Sequence, residues 1–294
     1  MPELPDLTVY CDHLDRLLAG APLARLAVLN PFVLRSVEPK ADAFAGRRFV
    51  HSSRIGKRVV MTFDDDLHAV LHLMIAGRLR WLLPGRKPPV RITLATFAFD
   101  HGTLAFTEAG SKRRASLHLV RGAAALAAFD AGGIEPLAMT LEEFGRRLVQ
   151  ANHTLKRALT DPHLIAGIGN AYSDEILHRA RLSPVALTRS LDADEIAGLY
   201  RAIRDVLAEW TERLRTESAA AFPEDVTAFR PAMAVHGRFG QPCPVCGAPV
   251  QRIVYADNET NYCARCQTGG RILADRALSR LLKASWPKSI DELG

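Results

Sequence analysis

The chain has 294 residues, of which 48% are hydrophobic and 24% charged, with a formal net charge of +6. That length exceeds one ordinary domain, and the composition is that of a folded globular protein rather than a disordered or fibrous one. No run of about 18 apolar residues marks a membrane span, and no basic-then-apolar opening marks an export signal, so a cytoplasmic protein without a membrane partner is expected. The positive balance favours a polyanionic partner.

In chain order, apolar residues recur at helical spacing from Asp6 to Ala19, and Gly20 stops the run, which predicts an amphipathic helix. Cys11 sits in it among Val9, Tyr10, Leu14, Leu17 and Leu18, and reads as a buried thiol rather than a nucleophile. Strand-like stretches follow, from Arg47 to Phe63, Leu67 to Ile75 and Val90 to Phe99, with Asp100-His101-Gly102 as a hairpin turn before Thr103 to Thr107. They predict an N-terminal β-sandwich of about 120 residues with a leading helix, set at 1–128. Phe129 to Pro136, with Gly132 and Gly133, predicts a linker, assigned to 129–137. The texture then turns helical, from Leu141 to Gln150, Asn170 to Arg181 and Asp192 to Thr216, so the chain is an α+β multidomain protein.

Two motifs in the second half carry chemistry. Cys243, Cys246, Cys263 and Cys266 form two C-x2-C knuckles, and turn residues such as Pro242, Pro244 and Gly247 let paired thiolates converge. In a chain without an export signal this spacing predicts one structural zinc ion (Zn2+) in a closed thiolate shell. Gly167-Ile168-Gly169-Asn170 lies between an apolar helical stretch and a new helix that Asn170 is placed to cap. A helix start with free amides seats phosphate, and Lys156, Arg157 and Arg179 flank it, although an ordinary helix-turn-helix corner has the same glycines.

Pro2-Glu3-Leu4-Pro5, Gly56-Lys57, His72-Leu73, Glu135-Pro136-Leu137, the run from Leu164 to Leu177, Val235-His236-Gly237-Arg238, the cysteine array and Cys266-Gln267 together resemble the formamidopyrimidine-DNA glycosylase / endonuclease VIII family. The resemblance spans roughly residues 1 to 267. It implies a β-sandwich joined to a helix-two-turns-helix DNA-binding domain, 138–236, and a zinc β-hairpin, 237–270. It implies a bifunctional DNA glycosylase and abasic-site lyase of base excision repair, acting as a monomer on double-stranded DNA that holds a damaged base or an abasic site. In that family an N-terminal proline is the nucleophile, which here is Pro2 once Met1 is removed. Glu3 matches the general acid/base that protonates the sugar ring oxygen, and Lys57 matches a hairpin lysine beside the lesion. Lys156 and Asn170 match positions that hold phosphates around the flipped nucleotide.

Departures from the family pattern carry information too. The usual glutamate at the sixth position is Asp6, a shorter carboxylate suited to capping the helix. The hairpin arginine five residues before the third cysteine is Asn258, between Asp257 and Glu259, an electrostatically poor grip for phosphate. The void-filling hairpin reads Leu73-Met74-Ile75-Ala76, so Met74 or Ile75 is a candidate wedge, and Arg113 or Arg114 is a candidate to fill the space opposite the missing base. The glycine-threonine loop that caps 8-oxoguanine is replaced by Ala219 to Thr227, which shifts the expected lesion toward oxidised pyrimidines and ring-opened or abasic sites. Ala274, Leu278, Leu281, Leu282 and Ser285 fall at helical spacing and predict a C-terminal helical extension over 271–294. The altered hairpin tip keeps a second reading open, a catalytically reduced lesion-binding protein on the same scaffold.

Overall fold

Helix α1, Leu4–Leu18, starts earlier than the apolar periodicity alone predicts. The N–H of Glu3 donates to Asp6 Oδ2 at 2.9 Å, one half of a capping box, and Pro5 falls in the first turn, where its missing N–H costs nothing. The expectation that Asp6 caps this helix therefore holds. The computed structural model describes residues 1–110, 112–224, 226–227, 229–255, 258–273 and 288–293. The chain divides into two compact units, residues 1–131 with 210–227, and 132–209 with 228–294.

In the first unit, eight strands follow α1: β1 Arg25–Val28, β2 Phe49–Ile55, β3 Arg58–Phe63, β4 Leu67–His72, β5 Gly77–Leu82, β6 Thr93–Phe99, β7 Gly102–Glu108 and β8 Ser116–Arg121. They form two four-stranded antiparallel sheets, in the orders β1-β6-β7-β5 and β2-β3-β4-β8. Leu7, Tyr10, Leu14 and Leu18 from α1 join Phe44, Phe49, Phe63, Phe97 and Phe106 in one buried core. Phe63 meets Phe44 and Phe49 edge-on at 5.4 and 5.9 Å, the favoured aromatic arrangement. Cys11 is part of this core, where burial pushes its thiol up to about 12, so it is no nucleophile.

Two strand expectations need correction. The strand expected from Val90 begins at Thr93, because Val90 is exposed in a turn, and the one expected to reach Ile75 stops at His72. A short helix, α2 Ala123–Ala127, closes the unit's first segment.

The second unit holds α3 Leu141–Leu148, α4 Leu155–Thr160, α5 Asn170–Ala180 and most of α6 Ala193–Glu217, whose residues from Trp210 belong to the first unit. Thr140 caps α3 by accepting the Glu143 N–H at 3.2 Å, and Arg181 ends α5 in the left-handed conformation. The hairpin β9 Val250–Tyr255 and β10 Asn258–Cys263 leads into α7 Ala264–Thr268. Asp257 and the run of residues expected to form a C-terminal helix, Ala274 to Ser285, lie outside the described residues.

Candidate active site and nucleic-acid interface

At the amino terminus, Pro2 and Glu3 are both buried, and Glu3 is the N-cap of α1. The Met1 amine has its pKa lowered, chiefly by burial; Arg78 and Lys57 add to the lowering, while Glu3 and Asp6 oppose it. The side chain of Lys57 is therefore near enough to act electrostatically on the amine. It occupies the two-residue turn between β2 and β3, where Ile55 pairs with Arg58 and Gly56 takes a φ of 56°, a conformation that excludes most side chains. The structure thus gathers Pro2, Glu3 and Lys57 into one electrostatic environment.

His72 stands at the end of β4. Burial, followed by the charges of Arg58, Lys57 and His118, pushes it down to about 4, so it is a neutral imidazole in a cationic cluster at neutral pH. Arg58 opens β3, the strand paired with β4, and Lys57 lies in the turn before it, so the cluster forms only once the two strands pair.

The turn after β4 separates the two wedge candidates. Met74 lies half-buried with a φ of 51°, in the left-handed region, whereas Ile75 is 67% exposed at the tip. Gly77 closes the turn by donating its N–H to Leu73 O at 2.8 Å; a Cβ at Gly77 would stand 2.2 Å from that oxygen. Further on, buried Glu108 accepts the backbone N–H groups of Arg114 and Ala115 at 3.0 and 3.2 Å and so anchors the loop that carries the arginines. Arg113 and Arg114 are both exposed, and Arg113 donates to Arg91 O at 3.1 Å.

In the second unit, the turn before α5 differs from expectation in one respect. The N-cap of α5 is Gly169, and Asn170 is the first helical residue. Its amide Nδ2 is used elsewhere, donating to the carbonyl of Glu259 in β10 at 2.7 Å. Lys156 donates to Asn170 O at 2.7 Å and to Asp174 Oδ1 at 2.5 Å. Asp174 and Glu175, both buried on α5, were not singled out from the sequence. Glu175 accepts the backbone N–H groups of Ala234, Val235 and His236 at 2.7, 2.9 and 2.9 Å, which hold the chain leading into the zinc module. Burial raises the Glu175 pKa while those three donors lower it.

The four cysteine sulfurs of the second unit lie within 4.8 Å of one another, with Cys243 to Cys266 at 3.9 Å and Cys246 to Cys263 at 3.4 Å. Thiolates about 2.3 Å from a central zinc at tetrahedral angles are about 3.8 Å apart, so this cluster fits one structural ion. Outer partners fix the ligands. His178 Nε2 lies 3.3 Å from Cys243 Sγ, and Gln267 accepts the Cys263 N–H at 2.8 Å while donating to Leu182 O at 2.9 Å. Asn258 opens β10 opposite Tyr255.

An antiparallel sandwich behind a carboxylate-capped amino terminus, and a helical unit with a four-thiolate hairpin, define an α+β protein with a structural zinc module. Models of the formamidopyrimidine-DNA glycosylase N-terminal domain, of its H2TH domain, and of a zinc finger found in FPG and IleRS match residues 1–115, 133–219 and 240–269. The formamidopyrimidine-DNA glycosylase of Thermus thermophilus is 35% identical over 279 residues, covering 92% of this chain and 100% of the relative. The chain belongs to the formamidopyrimidine-DNA glycosylase family. Among solved structures, the MutM (Fpg) protein of Thermus thermophilus matches with a TM-score of 0.76 and 32% identity, over 90% of this chain and 98% of that one. The Lactococcus lactis Fpg complex with abasic-site DNA shares the fold, with a TM-score of 0.80 at 24% identity over 90% of this chain and 99% of that one. Among the described residues no helix is long and apolar enough to cross a membrane.

Proposed function

We infer that the protein is a bifunctional DNA glycosylase and abasic-site lyase of base excision repair, acting as a monomer on duplex DNA that contains a damaged base or an abasic site. The observation that carries this reading is the buried Glu3 at the helix start, next to Pro2, with Glu3 and Lys57 both near enough to act electrostatically on the amino terminus. With Met1 removed, the secondary amine of Pro2 attacks the sugar C1′. The bond from C1′ to the base breaks, and the base leaves with that electron pair and takes up a proton. Glu3 delivers a proton to the ring oxygen, the sugar opens, and an iminium joins Pro2 to C1′. The iminium acidifies C2′; loss of that proton expels the 3′ phosphate and nicks the strand.

Lys57 supports the backbone beside the lesion, and Asn170 fixes register at phosphates on the far side of the flipped nucleotide. Ile75, the exposed member of the wedge pair, fills the gap, with Arg113 or Arg114 opposite. Asn258 takes the usual arginine position without its charge, and Lys156 acts through Asp174 as argued below. The zinc ion holds the hairpin in shape and takes no part in bond breaking. The cellular location that follows from the substrate is the nucleoid of a bacterial-type cytoplasm.

The Ala219 to Thr227 loop lacks the glycine-threonine sequence that caps 8-oxoguanine, so oxidised pyrimidines and ring-opened or abasic sites are the preferred substrates. A panel of duplexes, each with one lesion, resolved on sequencing gels, tests the whole reading. Nicking of abasic and oxidised-pyrimidine duplexes is expected. Tight binding of the panel with no excision or nicking would instead support the lesion-binding reading, for which the altered hairpin tip is the sequence observation.

A further inference from the structure

We infer that Lys156 is a positioning residue in this chain, not a phosphate ligand, because its ammonium is tied to the buried Asp174 carboxylate and the pair presents DNA with no net charge. This rests on the proposed DNA-binding function. Asp174 is wholly buried, with a side-chain exposure of 0%, and both of its oxygens are occupied. Oδ1 accepts Lys156 Nζ at 2.5 Å, while Oδ2 accepts His236 Nδ1 at 2.8 Å and the backbone N–H of Asn261 at 3.1 Å. His236 is itself buried and stacks on Phe229, with ring centroids 5.5 Å apart at 19°. One carboxylate thus joins α4, α5, the residue before Gly237 and the zinc hairpin.

Lys156 supplies the ammonium in this set. Its side chain is 14% exposed, and its second donor contact, to Asn170 O at 2.7 Å, also faces inward. Were a phosphate to draw the ammonium away, Asp174 would keep only the His236 and Asn261 donors, and its buried carboxylate would lose its lysine partner. Breaking a buried pair by removing one partner costs far more than a solvent-exposed ion contact returns. Lys156 therefore stays on Asp174 when DNA binds. It sets the start of α5, and with it Asn170, against β10, and the phosphate contacts come from other groups.

The salt dependence of binding tests this, because each phosphate neutralised by a protein cation steepens the plot of log K against log salt by about 0.9. The full zinc-loaded chain is titrated with a duplex holding a stable abasic analogue. Asp174→Asn keeps an acceptor for the Asn261 N–H and releases the ammonium, so its slope is expected to steepen by about 0.9. The double variant Lys156→Gln/Asp174→Asn is expected to return to the wild-type slope. A slope for Asp174→Asn equal to or shallower than wild type, with the double variant shallower than wild type by about 0.9, would overturn the inference. A wild type without salt-dependent binding would overturn the DNA reading beneath it, a separate failure. If Asp174→Asn does not fold, lysine acylation of the wild type mapped by mass spectrometry serves instead. DNA is expected to protect Lys57 and leave Lys156 unchanged, and DNA-dependent protection of Lys156 would overturn the inference.

Discussion

The side-chain amide of Asn170, the first residue of α5, donates to the backbone carbonyl of Glu259 in the zinc hairpin at 2.7 Å. Because Asp174, one turn on, also accepts the Asn261 N–H at 3.1 Å, strand β10 is hydrogen-bonded to α5 at two successive points. The geometry of the turn before α5 therefore depends on the hairpin, and the hairpin depends on its metal.

Metal removal should accordingly be felt at the DNA surface. Purified protein is expected to hold one zinc per chain, and chelation or Cys263→Ser to weaken abasic-duplex binding by at least about tenfold, since local folding and metal binding are coupled. Cys263 is a severe choice, because its sulfur also caps α7 by accepting the Cys266 N–H. Colorimetric zinc release followed in parallel with fluorescence anisotropy of labelled DNA makes the comparison; affinity that persists after the zinc has left would separate hairpin from turn.

The elements with a strong local signal were legible before the fold was known. Helix α1, the β6–β7 hairpin around Asp100-His101 and the two knuckles all carry their own capping, turn or ligand chemistry within a few residues. Strands β1, β5 and β8 were not predicted; β1 is four residues long, and β5 alternates arginine with apolar residues as many surface segments do. At the site, Pro2, Glu3, Lys57 and the cysteines stand in short motifs. Asp174, Glu175 and His72 acquire meaning through partners far away in the chain, such as His236 for Asp174, and no local pattern encodes that. Asn170 was assigned a cap because asparagine favours that position; the carbonyl of Glu259, invisible in sequence, claims its side chain instead.

The turn after β4 divides strain from function. Met74 holds a φ of 51°, which costs a non-glycine residue about 1–2 kcal/mol, partly offset by the entropy glycine loses on folding. Met74→Gly is expected to stabilise the protein by about 0.5–1 kcal/mol. Ile75 is 67% exposed, so Ile75→Ala should change stability by less than about 0.5 kcal/mol and yet weaken abasic-duplex binding severalfold. Thermal melts and anisotropy on the two variants check both halves. Equal DNA affinity for Ile75→Ala and wild type would remove Ile75 as the wedge.

The hairpin tip offers a gain-of-binding experiment. Asn258 lies in sequence between Asp257 and Glu259, and Glu259 is drawn toward Arg252, 3.5 Å away. Asn258→Arg should tighten abasic-duplex binding and steepen its salt slope by about 0.9, the signature of one more phosphate contact. A slope indistinguishable from wild type would mean that the tip lies away from DNA.

The nucleophile gives the sharpest test. An iminium between Pro2 and the sugar is reduced by borohydride, which should join the protein irreversibly to an abasic-site oligonucleotide. An uncleaved tag ahead of Pro2 turns the amine into an amide and should abolish this crosslink, while Pro2→Ala, which keeps an α-amine of different basicity and geometry, should reduce it steeply. The pH dependence has a defined sign. Burial, aided by Arg78 and Lys57, lowers the pKa of the Met1 amine, and the same surroundings penalise a charged amine on Pro2 once Met1 is removed. Trapping should therefore rise with pH and reach half its maximum at a lower pH than the amine of a free N-terminal proline peptide would set. Glu3→Gln separates the two chemical steps. On an intact nucleotide the sugar opens, and excision is completed, only when the ring oxygen is protonated, whereas a preformed abasic site already equilibrates with its open aldehyde; general acid catalysis is worth about 10²–10⁴ in rate. Excision of an intact damaged base should fall by about 100-fold or more, with cleavage of a preformed abasic site kept within about tenfold of wild type. Mass spectrometry that located the reduced crosslink on Lys57 or any other lysine would overturn the assignment of Pro2, and undiminished trapping by the tagged protein would do so without mapping.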